Sequence, residues 1–408
     1  MFIQDPQLND RKKRFALILL SLTLIFSMST MFSAAAIIPQ LRSQWDFSPL
    51  SSSLIMIAIQ LGFVIGAILT SIINLPDIIS PRYVILIGAI GAACANTLLI
   101  IAGDIETAIF LRLITGIFLA GVYPPTFKLL ATWYQKDRAG ALGILVAALV
   151  IGNGIPHLIN GLGGLNWQLV IYATSGLTLL GGLNAAFLIK EGPYPFPKAV
   201  FDPRQIKQIF INREVSLASL GYIGHMWELF AMFTWYALFL SETLAVNGVN
   251  SGSTAALLTF TIFIAGAAGS WCGGILANRW GKVKTTILFL AISGLCTIGI
   301  GFLYDSPPWM IVIAGMVWGF SVVGDSAQFS TIVTERADQS YVGTALTMQL
   351  AAGFSITVVT IWLIPLVQSW IGWQWAFMVL APGPVVGIIA MWQLLKDDKI
   401  KTSSKSTV

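Results

Sequence analysis

The feature that most constrains this chain is the recurrence, along nearly its whole length, of apolar runs of about 20 residues, the length a helix needs to cross a bilayer. We count twelve, at about 15–38, 50–73, 83–102, 107–133, 139–163, 167–189, 216–240, 254–277, 284–304, 309–333, 342–369 and 374–395. Hydrocarbon offers a backbone amide no hydrogen-bond partner, so each run is predicted to be helical and the gaps between them short. Of 408 residues, 56% are hydrophobic and only 10% charged, against about 25% charged in soluble domains. The sequence therefore predicts an all-α integral membrane protein whose main partner is the lipid bilayer. The first run follows Arg11-Lys12-Lys13-Arg14; its apolar stretch of about 24 residues exceeds the 7–15 of a cleaved signal, so it reads as a retained helix.

Once the spans are drawn, the basic residues fall on one side. That side holds the N-terminal tetrad, Arg82, Lys136, Arg138, Lys190, Lys198, Arg204, Lys207, Arg213, Arg279, Lys282, Lys284, Arg336 and the C-terminal lysines. The other side holds Arg42 nearly alone, with Asp46, Asp104, Glu106, Glu242 and Asp305. Cytoplasmic loops carry the excess of lysine and arginine, so both termini are expected in the cytoplasm of a bacterial-type inner or plasma membrane. The same sidedness accounts for the net charge of +5 without a nucleic-acid partner.

The longest polar interruption, 190–214, lies between the sixth and seventh spans. It divides the chain into a first six-helix unit (1–189), a linker (190–214) and a second six-helix unit with its tail (215–408). The halves align weakly at an offset of about 200 residues. Asn166-Trp167-Gln168 matches Gly372-Trp373-Gln374, Lys128 falls opposite Gln328, and Asp77 opposite Asn278. The most specific segment is Gly274-Ile275-Leu276-Ala277-Asn278-Arg279-Trp280-Gly281-Lys282-Val283-Lys284, between spans eight and nine. It resembles the loop signature G-x-L-x-D-R-x-G-R-R of the major facilitator superfamily, with Asn278 in place of the usual aspartate. Asn keeps the hydrogen bonding and loses the charge. The first-half copy is degenerate and keeps Asp77 and Arg82. Arg112-Leu113-Ile114-Thr115-Gly116 is similar to the superfamily's R-x-x-x-G pattern in span four. Span five carries Gly143, Gly152, Pro156 and Gly161, a partial match to a glycine-proline motif of exchangers.

The resemblance covers the chain. It implies two pseudo-symmetric six-helix bundles around a central cavity, rocking by alternating access, with spans one, four, seven and ten lining the cavity. It assigns conformational gating to Asp77, Arg82, Gly274, Asn278, Arg279, Gly281 and Lys282.

An ionisable group at the bilayer centre costs about 2.5–3.5 kcal/mol on insertion scales, so each one marks a partner, a wet cavity or a function. The candidates are Arg112 and Lys128 in span four, His157 in span five, His225 and Glu228 in span seven, and Asp325 in span ten. Spans three, six, nine and twelve contain none, apart from Lys284 at the edge of span nine. On span seven, His225, Glu228, Met232, Trp235 and Phe239 recur at spacings of three and four and share one helical face, a stripe suited to a substrate. Glu228 is mid-span, where a carboxyl can take up and release a proton; the alternative is a fixed bond to His225 or a basic residue. Ser321, Asp325 and Gln328 make a second polar face. Lys128 reads as a partner for Asp325 or for an anionic substrate. Arg112 reads as an organiser of its own half or, with Lys128, as a source of positive charge for a substrate. Pro124-Pro125 predicts a bend in span four.

Cys94, Cys272 and Cys296 have no metal-ligand spacing, and no metal or cofactor is implied. No nucleotide-binding or hydrolase motif occurs, so the chain is not read as an enzyme and its energy is expected from an ion gradient. The leading expectation is a monomeric, proton-coupled secondary transporter of a small polar or anionic metabolite. Alternatives are an exporter of hydrophobic or cationic compounds, and a transporter-derived sensor. With the three native cysteines replaced by alanine, Arg42→Cys is expected to react with a membrane-impermeant maleimide added outside cells, and Lys284→Cys only after permeabilisation. The reverse labelling would overturn the orientation.

Overall fold

A computed structural model describes residues 6–45, 48–73, 75–134, 138–164, 166–194, 202–249, 252–338 and 340–406. Among these residues there are helices and no strand. Twelve segments are long and apolar enough to cross a membrane. They are α1 (Asp10–Trp45), α2 (Leu50–Ile72), α3 (Pro81–Ile101), α4 (Ile105–Ala131), α5 (Gly140–Leu162), α6 (Trp167–Leu188), α7 (Arg213–Val246), α8 (Gly252–Trp280), α9 (Lys282–Leu303), α10 (Pro308–Arg336), α11 (Val342–Ile371) and α12 (Trp373–Ile400).

Local chemistry sets several of the helix starts. Side chains of Asp104, Asn166 and Asn212 accept from the first free amides of α4, α6 and α7, replacing partners that water would otherwise supply. The Thr107 amide and hydroxyl hold the exposed Asp104 carboxyl below its usual range. Its capping contribution is therefore present above the unfolded-state value and fades as pH falls through the folded one. Gly281, the N-cap of α9, sits at φ 89°, a left-handed conformation that side chains oppose; the loop signature needs its glycine there.

Four segments are interrupted: α12, where a 3₁₀ turn, Phe377–Leu380, separates Trp373–Ala376 from Pro382–Ser406, and three others. In α1, the helix Pro6–Met28 stops and resumes as Ser33–Trp45. In α4, Ile105–Leu119 is followed by Tyr123–Ala131, with Pro124 and Pro125 in the first turn of the second piece, where a missing amide costs little. In α10, Pro308–Gly324 and Ser326–Arg336 meet at Asp325. The bend expected in span four is thus a break just ahead of its prolines. Span seven, by contrast, is one helix of 34 residues, Arg213–Val246.

The surface inverts the pattern of a water-soluble protein. Ile101 on α3, Phe187 on α6, Leu295 on α9 and Trp392 on α12 are largely exposed, while Arg112, Glu228, His225 and Asp325 are buried. That distribution fits lipid outside and a polar interior.

Helices that cross closely do so through glycine. A Cβ at Gly62 would lie 2.0 Å from the Leu113 carbonyl oxygen, and one at Gly116 would lie 2.1 Å from that of Ile59. Each glycine thus admits the backbone of the other helix, the usual way α-helices approach in lipid. The linker is docked at both described ends. Trp133 Nε1 donates to Lys190 O at 3.0 Å and the Gly192 amide to Thr132 Oγ1 at 2.8 Å, while the Asp202 amide donates to Thr344 Oγ1 at 3.0 Å. Gly116→Ala is expected to lower stability by about 1–3 kcal/mol through overpacking, measured by the thermal unfolding midpoint of purified protein. Gly140→Ala, which meets nothing within 4 Å, is the control expected to leave it unchanged.

Candidate functional site

A cavity of about 210 Å³ lies between the first six and last six spans, lined by side chains of α1, α2, α5, α7 and α8. Its polar lining is Gln40, Ser43, His157, Asn160, Thr234 and Ser241, and Trp235 adds a ring. All of these residues lie toward the ends of their helices that carry the lysine-poor loops. Toward the other end the halves touch: the Ser71 and Thr347 hydroxyls are 3.3 Å apart, and Ser270 Oγ donates to Gly143 O at 3.2 Å.

Behind the cavity runs a chain of ring contacts that crosses between the halves repeatedly. His157 stacks on Phe263 with centroids 5.4 Å apart, and Phe263 on Phe233 at 4.2 Å. Phe32, at the break in α1, stacks on Phe230 at 5.7 Å and meets Phe263 edge-on at 5.6 Å. Phe230 contacts Phe354 at 5.1 Å, Phe354 stacks on Phe63 at 4.4 Å, and Phe63 reaches Tyr123 at 6.0 Å. These phenylalanines were hidden in sequence because an aromatic residue in an apolar run carries no signal of its own.

Arg112 is fully buried and completes the break in α1. Nη1 donates to Thr30 O at 3.2 Å, Ser33 Oγ at 3.1 Å and Asn96 Oδ1 at 3.1 Å, and Nη2 to Met31 O at 2.9 Å. Carbonyls at the end of a helix carry partial negative charge, so a cation belongs there. Every one of these partners is neutral. Asn96, on α3, passes the network to Ser175 Oγ at 2.9 Å. These bonds tie Arg112 to α1 and α3, within the first six spans.

The stripe on span seven diverges. Glu228 receives Ser293 Oγ at 2.9 Å, Trp318 Nε1 at 2.6 Å and the Thr297 hydroxyl, so it ties α7 to α9 and α10. Its bonds are to none of the basic residues, and it is absent from the cavity lining. His225 Nδ1 instead faces Asp325 Oδ1 at 2.9 Å, both side chains buried, and its Nε2 lies 3.0 Å from Ser326 Oγ. Trp235 donates to Ile361 O at 3.0 Å on α11 and is the one member of the stripe that lines the cavity; Met232 and Phe239 are packed inside. A shared helical face fixes where the Cβ atoms point, and side chains of this length then turn to different neighbours.

The remaining expected residues are dispersed. Gln328 is buried on the second piece of α10, and Asp325 Oδ1 faces His225 Nδ1. Lys128 is half-buried in the last turn of its helix. At the junction of α8 and α9, Gly274 is buried and Asn278 and Arg279 are exposed in the last turns of α8, and Lys282 Nζ, in the first turn of α9, pairs with Glu335 at 2.8 Å. Arg336 continues the network to Glu214 and Asp398 at 3.1 and 2.8 Å. Arg82 is half-buried, its guanidinium 4.7 Å from the Tyr83 ring centre. The side chain of Asp77, and all of Lys136 and Lys198, lie outside the described residues. Among the described residues no three metal-ligating side chains cluster.

Sequence reasoning passed over Gln40, Asn160 and Asn96. The spacing of His157 and Asn160, one turn apart on a helix, was the available signal. Trp318→Phe keeps the ring and removes one donor to Glu228, and is expected to cost about 1–3 kcal/mol of stability, read from the thermal unfolding midpoint.

The family model for the Major Facilitator Superfamily matches residues 19–356 and, in a second match, 251–407. A D-galactonate transporter of Escherichia coli O6:H1 is 21% identical over 356 residues, which cover 79% of this chain and 82% of that protein. The crystal structure of a D-xylose-proton symporter superposes with a TM-score of 0.74 at 13% identity, covering 93% of this chain and 97% of that one. The last match speaks for the fold.

Proposed function

Because the chain belongs to the major facilitator superfamily, we propose that it is a proton-coupled secondary transporter of a small polar or anionic metabolite. The observation that carries this reading is the cavity between the halves, bordered by polar side chains at one end of the molecule while hydroxyl and ring contacts close the other. A site reachable from one side at a time is what alternating access requires. The moving bodies in this reading are the six-helix units 1–189 and 215–408, joined by the 190–214 linker. The protein works as a monomer with both termini in the cytoplasm, so the cavity opens to the exterior.

Two features favour a small polar substrate over a bulky hydrophobic or cationic one. At about 210 Å³ the cavity falls below the roughly 300–1,000 Å³ typical of drug-sized ligands. Its lining includes no acidic side chain, and the nearest buried charge on that half, Arg112, is positive and has only neutral partners. The relative named for D-galactonate agrees in chemical character.

For coupling we assign the proton to the His225–Asp325 pair. It is titratable, buried, and seated at the break in α10, where a change of charge acts on a joint between two helices. Glu228, which the sequence favoured for this task, serves in this reading as a brace for α9 and α10. The test is proton movement in proteoliposomes holding a pH-sensitive dye, driven by sugar acids or sugars. Asp325→Asn is expected to abolish substrate-driven proton movement while keeping substrate exchange, and Glu228→Gln to keep both with a lower unfolding temperature. Loss of coupling in Glu228→Gln alone would return the role to Glu228.

A further inference from the structure

The polar wall that the first six spans give to the cavity has two groups left without partners. Asn160 spends both halves of its amide: Nδ2 donates to Ala36 O at 2.5 Å, and Oδ1 accepts from Gln40 Nε2 at 3.1 Å. That pairing orients the Gln40 amide and leaves its Oε1 buried with no hydrogen-bond partner. His157 is only 1% exposed, its ring is fixed by stacking on Phe263, and its Nε2 is likewise buried without a partner. Buried polar atoms are almost always hydrogen-bonded, and each exception asks for an explanation. Of the eleven such atoms among the described residues, these two belong to residues lining the cavity, and the two residues bracket Asn160.

We propose that Gln40, Asn160 and His157 form the recognition subsite for a small carboxylate carrying hydroxyls on neighbouring carbons. The inference rests on the cavity being the substrate site and goes beyond it by naming the ligand's class. Gln40 Oε1 is an acceptor only, so it takes a hydroxyl proton. His157 Nε2, as the N–H tautomer, donates to a carboxylate oxygen, the stronger of the acceptors a small metabolite offers. Asn160 touches neither ligand group in this scheme; it positions Gln40. The charge assignment follows from the surroundings. No acidic side chain lines the cavity to repel an anion. Ser33, which Arg112 holds at 3.1 Å, begins the helix piece that carries Ala35, Ala36 and Gln40 into the cavity wall. Trp235 spends its indole N–H on Ile361 O, so it offers the cavity a ring, a flat surface for the C–H groups of a hydroxylated carbon chain.

The experiment is equilibrium binding by calorimetry to the full chain in lipid nanodiscs, with three six-carbon probes: D-gluconate (acid and hydroxyls), sorbitol (hydroxyls alone) and hexanoate (acid alone). Gluconate is expected to bind at least tenfold tighter than either of the others. His157→Leu should weaken gluconate about 10- to 100-fold, the worth of a charge-assisted hydrogen bond, and leave sorbitol unchanged. Gln40→Leu should weaken gluconate and leave hexanoate unchanged. The unaffected probe in each variant, with its unfolding temperature, shows that the protein is folded. Sorbitol binding as tightly as gluconate, no gluconate binding, or full gluconate affinity in His157→Leu would each overturn the proposal. Exchange in proteoliposomes separates the two readings. Sorbitol exchanged while gluconate fails to bind leaves the transporter and removes the subsite. Gluconate bound with no probe exchanged leaves the subsite and removes the transporter.

Discussion

A backbone amide or carbonyl inside hydrocarbon has no water to turn to, and the architecture of this protein follows from where that rule is relaxed. Among the described residues, eight of the twelve spans run without an internal break. The breaks in α1, α4 and α10 are where the helical ladder is given up, and polar side chains gather at two of them. At the α1 break the partner is a guanidinium, since Arg112 takes the Thr30 and Met31 carbonyls directly. At the α10 break a His–Asp pair and a serine hydroxyl cluster around the interrupted turn. At these two breaks the costly ionisable groups and the irregular backbone occur together.

Much of this was legible in sequence. The number of spans, the membrane class and the family follow from run length and one loop signature, because both are written in contiguous residues. The R-x-x-x-G pattern also carried its meaning locally: the arginine serves the break in α1, and the glycine four residues on lets α4 press against α2. The α10 break was not foreseen: Gly324 beside Asp325 is a poor helix former, but a single glycine in an apolar run equally serves close packing between helices. Nor was the fate of Glu228. Periodicity placed it on a face with Trp235, but its three donors come from positions 293, 297 and 318, and no pattern within span seven reports them.

The same limit explains why the cavity wall was only partly foreseen. His157 stood out because it is ionisable, and Gln40 and Asn160 did not, because an amide in a membrane helix is by default a packing device. What distinguishes these two is a bond between them that joins positions 120 residues apart, together with an oxygen it leaves unused. Such information exists only once the chain is folded.

The rings behind the cavity have a further consequence. From His157 through Phe263, Phe32, Phe230 and Phe354 to Phe63, most of the side chains in line offer neither a proton donor nor an acceptor. A partition of that kind is an electrical insulator. In the proposed reading these phenylalanines stand between the Gln40 and His157 wall and the His225–Asp325 pair, and they give a proton no side-chain group to step onto. A membrane potential does work of about 2.3 kcal/mol on each elementary charge per 100 mV, and a leak would dissipate it. The phenylalanines make the gradient available only to a protein that changes shape.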